Sequence, residues 1–133
     1  MFNCKFVVYL LAVPVFLFLM SGCARKPAAN LEEPAYLGCY KDQGSPWSAW
    51  GRDLDRQMFN SQTMTIATCV RDCAALGYRF AGLQSSSQCF CGDDYGKFGE
   101  ADNCDKRCVG NDVTVCGGTW ANSVYSAAEW DPP

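Results

Sequence analysis

QCFCG, residues 88–92, places two cysteines on either side of one phenylalanine. In an extended strand residues i and i+2 point to the same face, so Cys89 and Cys91 look one way and Phe90 the other. In TMTIATCVRDCAALG, residues 63–77, Ile66, Cys69, Val70 and Cys73 fall at i, i+3, i+4 and i+7, the apolar stripe of an amphipathic helix. Thr63 or Thr65 can cap its start, and Gly77 can take the left-handed position that ends it. Four helical residues rise about 6 Å and two strand residues about 6.6 Å. A helix laid on that strand therefore brings two cysteine pairs into register. Eight cysteines allow 105 connectivities and spacing alone does not choose among them, but this geometry favours a double staple of Cys69 and Cys73 to Cys89 and Cys91.

Disulfides require an oxidising compartment, and the N-terminus points to one. Met1 to Lys5 carries one positive charge and is followed by FVVYLLAVPVFLFLM, residues 6–20, fifteen uncharged and mostly apolar residues. A lasting membrane span needs about 20, so residues 1–22 read as a signal peptide. Met20-Ser21-Gly22-Cys23 resembles a bacterial lipobox, which makes Cys23 the expected lipidation site. A diacylglyceryl group plus an N-acyl chain, at about 0.8 kcal/mol per buried CH₂, exceeds what stable anchoring needs. Residues 23–34 then form the lipidated N-terminus and a polar, proline-containing tether, ARKPAANLEEP. Fully extended, at about 3.3 to 3.6 Å per residue, the tether reaches roughly 40 Å. The expected location is export followed by lipid anchoring to a cell-envelope membrane. Ala24 after Cys23, where inner-membrane retention is associated with aspartate, favours the outer membrane if there are two.

With Cys4 in the leader and Cys23 lipidated, eight cysteines remain: Cys39, Cys69, Cys73, Cys89, Cys91, Cys104, Cys108 and Cys116. That is about 9% of the folded part, the density of a disulfide scaffold. A zinc site is the rival, but the chain has no histidine and the spacings are CxxxC and CxC rather than CxxC. The other two bridges are expected to join Cys104 with Cys108 and Cys39 with Cys116. Without residues 1–22, ten basic residues face fourteen acidic ones, a net charge near −4. Nucleic acid is not an expected partner, since phosphate binding calls for clustered Lys and Arg.

One small domain is expected over residues 35–128, with 129–133 as a tail. AYLGCY, residues 35–40, reads as a first strand, residues 41–61 as a loop with a short extended piece at 52–54, and YRFAGLQ and QCFCG as two antiparallel strands joined across Ser85-Ser86-Ser87. Taken together, the chain resembles a WSC domain, an eight-cysteine module of secreted and cell-surface proteins. The matching pieces are GCY at 38–40, RDL at 52–54, MT at 64–65 leading into CVRDC, FAGLQ at 80–84, QCFCG at 88–92, YGKFG at 95–99, ADNC at 101–104 and CGGTWANSVYS at 116–126. The resemblance implies a small disulfide-rich α+β fold of the PAN/apple type, a twisted antiparallel sheet with one main helix. It also implies binding of polysaccharide without catalysis; no cofactor or metal is expected.

A sugar ring presents apolar C–H faces, so its site wants exposed aromatic planes with amides or carboxylates beside them. Tyr95 and Phe98 sit in the acidic, Gly-rich CGDDYGKFGEADNC, and Trp120, Asn122 and Tyr125 in a Gly-led segment beside the last strand; these five are the candidate carbohydrate contacts. Trp47 and Trp50, in PWSAW, are independent candidates. Against each stands core or edge packing, which small disulfide domains also ask of Trp and Tyr. Calcium held by Asp93, Asp94, Glu100, Asp102 and Asp105 is a weaker reading, because the spacing does not match an EF-hand loop. An enzyme is disfavoured by the lack of histidine and by a domain too small for a carboxylate cleft. The alternative of another class is a structural or protein-interaction envelope lipoprotein, with the same aromatics contacting a protein.

Overall fold

The structure, a computed structural model, describes residues 33–43, 51–54 and 56–128. The expected signal peptide, Cys23, most of the expected tether, Trp47, Trp50 and residues 129–133 lie outside the described residues. Seven strands and one helix run in the order β1 (Tyr36–Lys41), β2 (Arg56–Asn60), α1 (Ile66–Ala75), β3 (Phe80–Gln84), β4 (Gln88–Gly92), β5 (Arg107–Cys108), β6 (Asn111–Val115) and β7 (Ala121–Ser126). Five of them form an antiparallel sheet in the order β1-β7-β3-β4-β2, and β5 and β6 form a separate two-stranded ribbon. The α+β expectation holds. Among the described residues no helix is long and apolar enough to cross a membrane.

The helix starts where Thr65 accepts the Thr68 N–H on its side-chain oxygen at 3.1 Å, satisfying one of the donors a helix leaves unpaired. It ends as Gly77 enters the left-handed region at φ +83°, with the Tyr78 N–H returning to the Cys73 carbonyl at 3.1 Å. Its buried stripe of Cys69, Val70 and Cys73 lies against Ala81 and Leu83 of β3 and Cys89 and Cys91 of β4. Both staples form, Cys69–Cys89 and Cys73–Cys91, with Cα separations of 5.6 and 5.4 Å.

The other two bridges differ from expectation: they join Cys39 to Cys104 and Cys108 to Cys116. The reason is β pairing that spacing alone does not reveal. The loop after β4 returns along the outer edge of β1, where the Lys41 N–H donates to the Gly99 carbonyl at 3.0 Å and the Ala101 N–H to the Cys39 carbonyl at 2.9 Å. That covers an otherwise open sheet edge and delivers Cys104 to Cys39. The β5–β6 ribbon then folds Cys116 back over Cys108, Cα to Cα 4.8 Å.

The region expected to be loop also needs correction. Residues 56–60 form β2, an edge strand on β4 whose register shifts between Gln57 and Phe59; such an irregularity hides the period-2 signal. Residues 52–54, expected to be extended, form no strand. They cap the second face of the sheet instead, with Asp53 and Leu54 fully buried. Gly82 makes this possible, because a Cβ there would collide with the Leu54 Cδ1 and crowd the Asn122 side chain. The sheet is therefore covered on both faces, by the helix over Cys89 and Cys91 and by Leu54 near Gly82 and Phe90.

Candidate functional site

The second face ends in a surface notch, built from the turn between Gly118 and Ala121. The Gly118 N–H donates to the Ala121 carbonyl at 2.9 Å, and Trp120 inside that turn adopts φ +54°. A bulky residue in the left-handed region is unusual and persists only where its surroundings fix it. Here both of its peptide groups are held. The Trp120 carbonyl accepts the Asp42 N–H at 2.8 Å. Its N–H donates to the Gln84 side-chain oxygen at 3.2 Å, with the amide oriented so that its nitrogen donates to Asp42 Oδ2 at 2.8 Å. The indole is nevertheless half exposed, at 50%.

Under the indole lies Arg52. Its guanidinium carbon is 4.5 Å from the Phe90 ring centroid and 5.5 Å from that of Trp120, distances at which a cation is attracted to an aromatic face. One of its nitrogens donates to Asp42 Oδ2 at 2.6 Å. Asp42, only 3% exposed, also accepts the Asp53 N–H on Oδ1 at 3.0 Å. A buried carboxylate is tolerable when it is paired and hydrogen-bonded in this way. Next to it, Asp53 accepts the Lys97 N–H at 2.7 Å and leaves Oδ2 without a partner. Burial holds its carboxyl above the usual range, against backbone hydrogen bonds from Gly96 and Lys97 that pull it down. The notch, about 230 Å³, is lined by Arg52, Gln84, Ser85, Gln88, Thr119 and Trp120.

The five candidate residues fall in different places. Of them, Trp120 lines the notch. Tyr95 is half-buried and packs edge-on against Tyr40 and Phe80, with centroids 4.9 and 4.7 Å apart. Phe80 and Gln84 stand at opposite ends of β3, about 13 Å apart by strand rise, so Tyr95 and the notch occupy different ends of the sheet. Phe98 is half-buried in the same loop as Tyr95. Asn122 is fully buried among the residues below Leu54, its Nδ2 unpartnered; side-chain alternation on β7 directs it into the second face and removes it from the surface. Tyr125 points to the helix face, 5.2 Å from the Tyr36 ring, and burial pushes its hydroxyl up to about 12. Arg52, Gln84, Gln88 and Asp42 carry no signal in the sequence that marks them as contacts. Alternation does place Gln84 and Gln88 opposite the cysteines, but nothing local in the sequence brings residue 52 over them.

Of the acidic loop, Asp93 receives the Arg79 N–H at 3.0 Å and Asp94 the Tyr95 N–H at 3.0 Å. Cys69, Cys73 and Cys89 have sulfurs within 4.8 Å of one another, but all three belong to the helix-to-strand bridges.

A helix stapled twice to a five-stranded sheet, with a tryptophan presented at the sheet's end, defines a small disulfide-built α+β module. The chain belongs to the WSC domain family: residues 36–118 match the family model, and Trp120 stands two positions beyond that span. It is 40% identical over 96 residues to Kremen protein 1 of Homo sapiens, covering 69% of this chain and 19% of that protein. It is 39% identical over 95 residues to a WSC domain-containing protein of Arthroderma benhamiae, covering 68% and 10%. To Xylosyltransferase oxt of Drosophila melanogaster it is 34% identical over 111 residues, covering 80% and 12%. The chain thus spans about a fifth or less of the length of these relatives.

Proposed function

We propose that this WSC domain is a non-catalytic module that binds polysaccharide at the Trp120 notch. The observation that carries this is a half-exposed indole whose backbone is held in the left-handed region by Asp42 and Gln84. Such strain at a surface position marks a residue kept for presentation rather than packing. An indole fixed before binding loses little freedom when a sugar ring stacks on it, and the Gln88 amide and Thr119 hydroxyl beside it suit ring hydroxyls. One relative is a xylosyltransferase by name, which fits a module that accompanies glycan chemistry. Lipid on Cys23 would hold the domain at a cell-envelope membrane, with the 23–34 tether setting its reach.

The test is depletion of the full chain from solution by a panel of insoluble polysaccharides. Saturable depletion by at least one of them is expected. No depletion by any, together with saturable binding to a purified envelope protein, would move the notch to a protein partner.

A further inference from the structure

We infer that the notch prefers polysaccharides carrying carboxylates, that is, uronate-containing chains; this rests on the polysaccharide reading above. A guanidinium has five N–H donors in a planar fork, and Arg52 commits one of them, to Asp42. Among the described residues the remaining four donate to no protein acceptor, and none of these nitrogens is sealed from solvent, although the side chain as a whole is only 29% exposed. Phe90, Trp120 and Asp42 restrain it on three sides, so the fork is already oriented where it lines the notch. A half-buried guanidinium whose open donors share a notch is matched best by a carboxylate, which accepts two parallel N–H bonds at once.

The groups around the fork suit a sugar acid rather than a bare anion. Trp120, half exposed, and Gln88 line the same notch as Arg52, so an aromatic residue and an amide-bearing one stand with the guanidinium. The Ser85 hydroxyl donates to the Gly118 carbonyl at 3.3 Å, leaving its oxygen able to accept from a ring hydroxyl. The nearby charge does not forbid an anion: Asp42 is balanced by Arg52, and the Lys97 ammonium donates to the Arg52 carbonyl at 3.2 Å. The chain as a whole carries a net charge of −3, so indiscriminate attraction of polyanions is not expected. Retention of a polyuronate must come from a local site.

The experiment uses the full chain in detergent, with polygalacturonate and the same polymer after reduction of its carboxyls to alcohols. Binding at least tenfold weaker to the reduced polymer is expected. Arg52→Gln should weaken binding to the acidic polymer by a larger factor than binding to the reduced one, and Arg52→Lys, which keeps the charge but not the fork, should fall between. Should the Arg52 variants not fold, the comparison of the two polymers still decides with the unaltered chain. Equal affinity for both, or binding to neutral polysaccharides only, overturns the carboxylate preference and leaves polysaccharide binding standing. Poly-glutamate binding as tight as polygalacturonate also overturns it, since the notch would then read an acidic chain without a sugar. Binding to none of these, nor to any neutral polysaccharide, removes both readings together.

Discussion

The backbone N–H of Asp42 donates to the Trp120 carbonyl at 2.8 Å, while the Asp42 carboxylate holds Arg52 at 2.6 Å. One buried residue therefore fixes both the indole and the guanidinium that flank the notch. Asp42→Ala should cost about 3 kcal/mol, because it leaves a partly covered cation and two buried donors without an acceptor. Urea unfolding of the variant would measure this. A loss below about 1 kcal/mol would mean that water replaces the carboxylate without penalty.

The second face depends on glycine as much as the first depends on cysteine. Gly82→Ala inserts a methyl group where the Leu54 side chain sits, and overpacking of this kind typically costs about 1 to 3 kcal/mol. Because Leu54 lies two residues from Arg52, the variant should also weaken polysaccharide binding. Unchanged stability would show that residues 52–54 are not closely packed on the sheet.

The bridges should differ in their worth. Cys39–Cys104 closes a separation of 65 residues and Cys108–Cys116 one of 8; loop-closure entropy assigns them about 4 and about 2.5 kcal/mol. Paired Cys→Ala variants compared by denaturant midpoint should therefore rank with the longer loop as the larger loss. Peptide mapping without reduction should recover all four links, and a Cys104–Cys108 peptide would refute the edge path of the 93–104 segment.

Asp53 sets the expected acid response. Its folded carboxyl is raised above the ordinary value of 3.8 by burial, so the native state binds this proton more tightly than the unfolded state. The contribution is thus favourable at low pH and declines as pH rises through the ordinary value towards the raised one. Asp53→Asn keeps an acceptor for the Lys97 N–H and removes the buried charge. It should flatten this part of the stability profile and leave stability at neutral pH equal or higher. A variant clearly weaker at neutral pH would show that the ionised form is required.

Much of the fold was legible because its signals are local. The helix stripe at Ile66, Cys69, Val70 and Cys73, the cap at Thr65, the stop at Gly77 and the Cys89/Cys91 alternation each lie within one element, and the staple follows from two such elements meeting. The Cys39–Cys104 bridge and strand β2 were not legible, since both depend on which edge of the sheet a distant segment pairs with. For the candidate site, Trp120 is singled out by its residue type in a Gly-led segment, and the structure places it half exposed beside the notch. Asn122 and Tyr125, two and five residues on, were included with it although strand alternation turns them into opposite faces of the sheet. Arg52 was missed because its position follows from Gly82 admitting Leu54, an approach across 28 residues of chain.

Trp120→Gly tests the central claim most directly, since it separates presentation from packing at one position. Glycine adopts φ +54° without penalty, so relief of about 1 kcal/mol of backbone strain should offset much of the attraction between the indole and Arg52 that the variant gives up. The thermal midpoint should stay close to that of the unaltered chain while polysaccharide affinity falls at least tenfold. Wild-type affinity in a folded Trp120→Gly protein would contradict the assignment of the notch as the binding site.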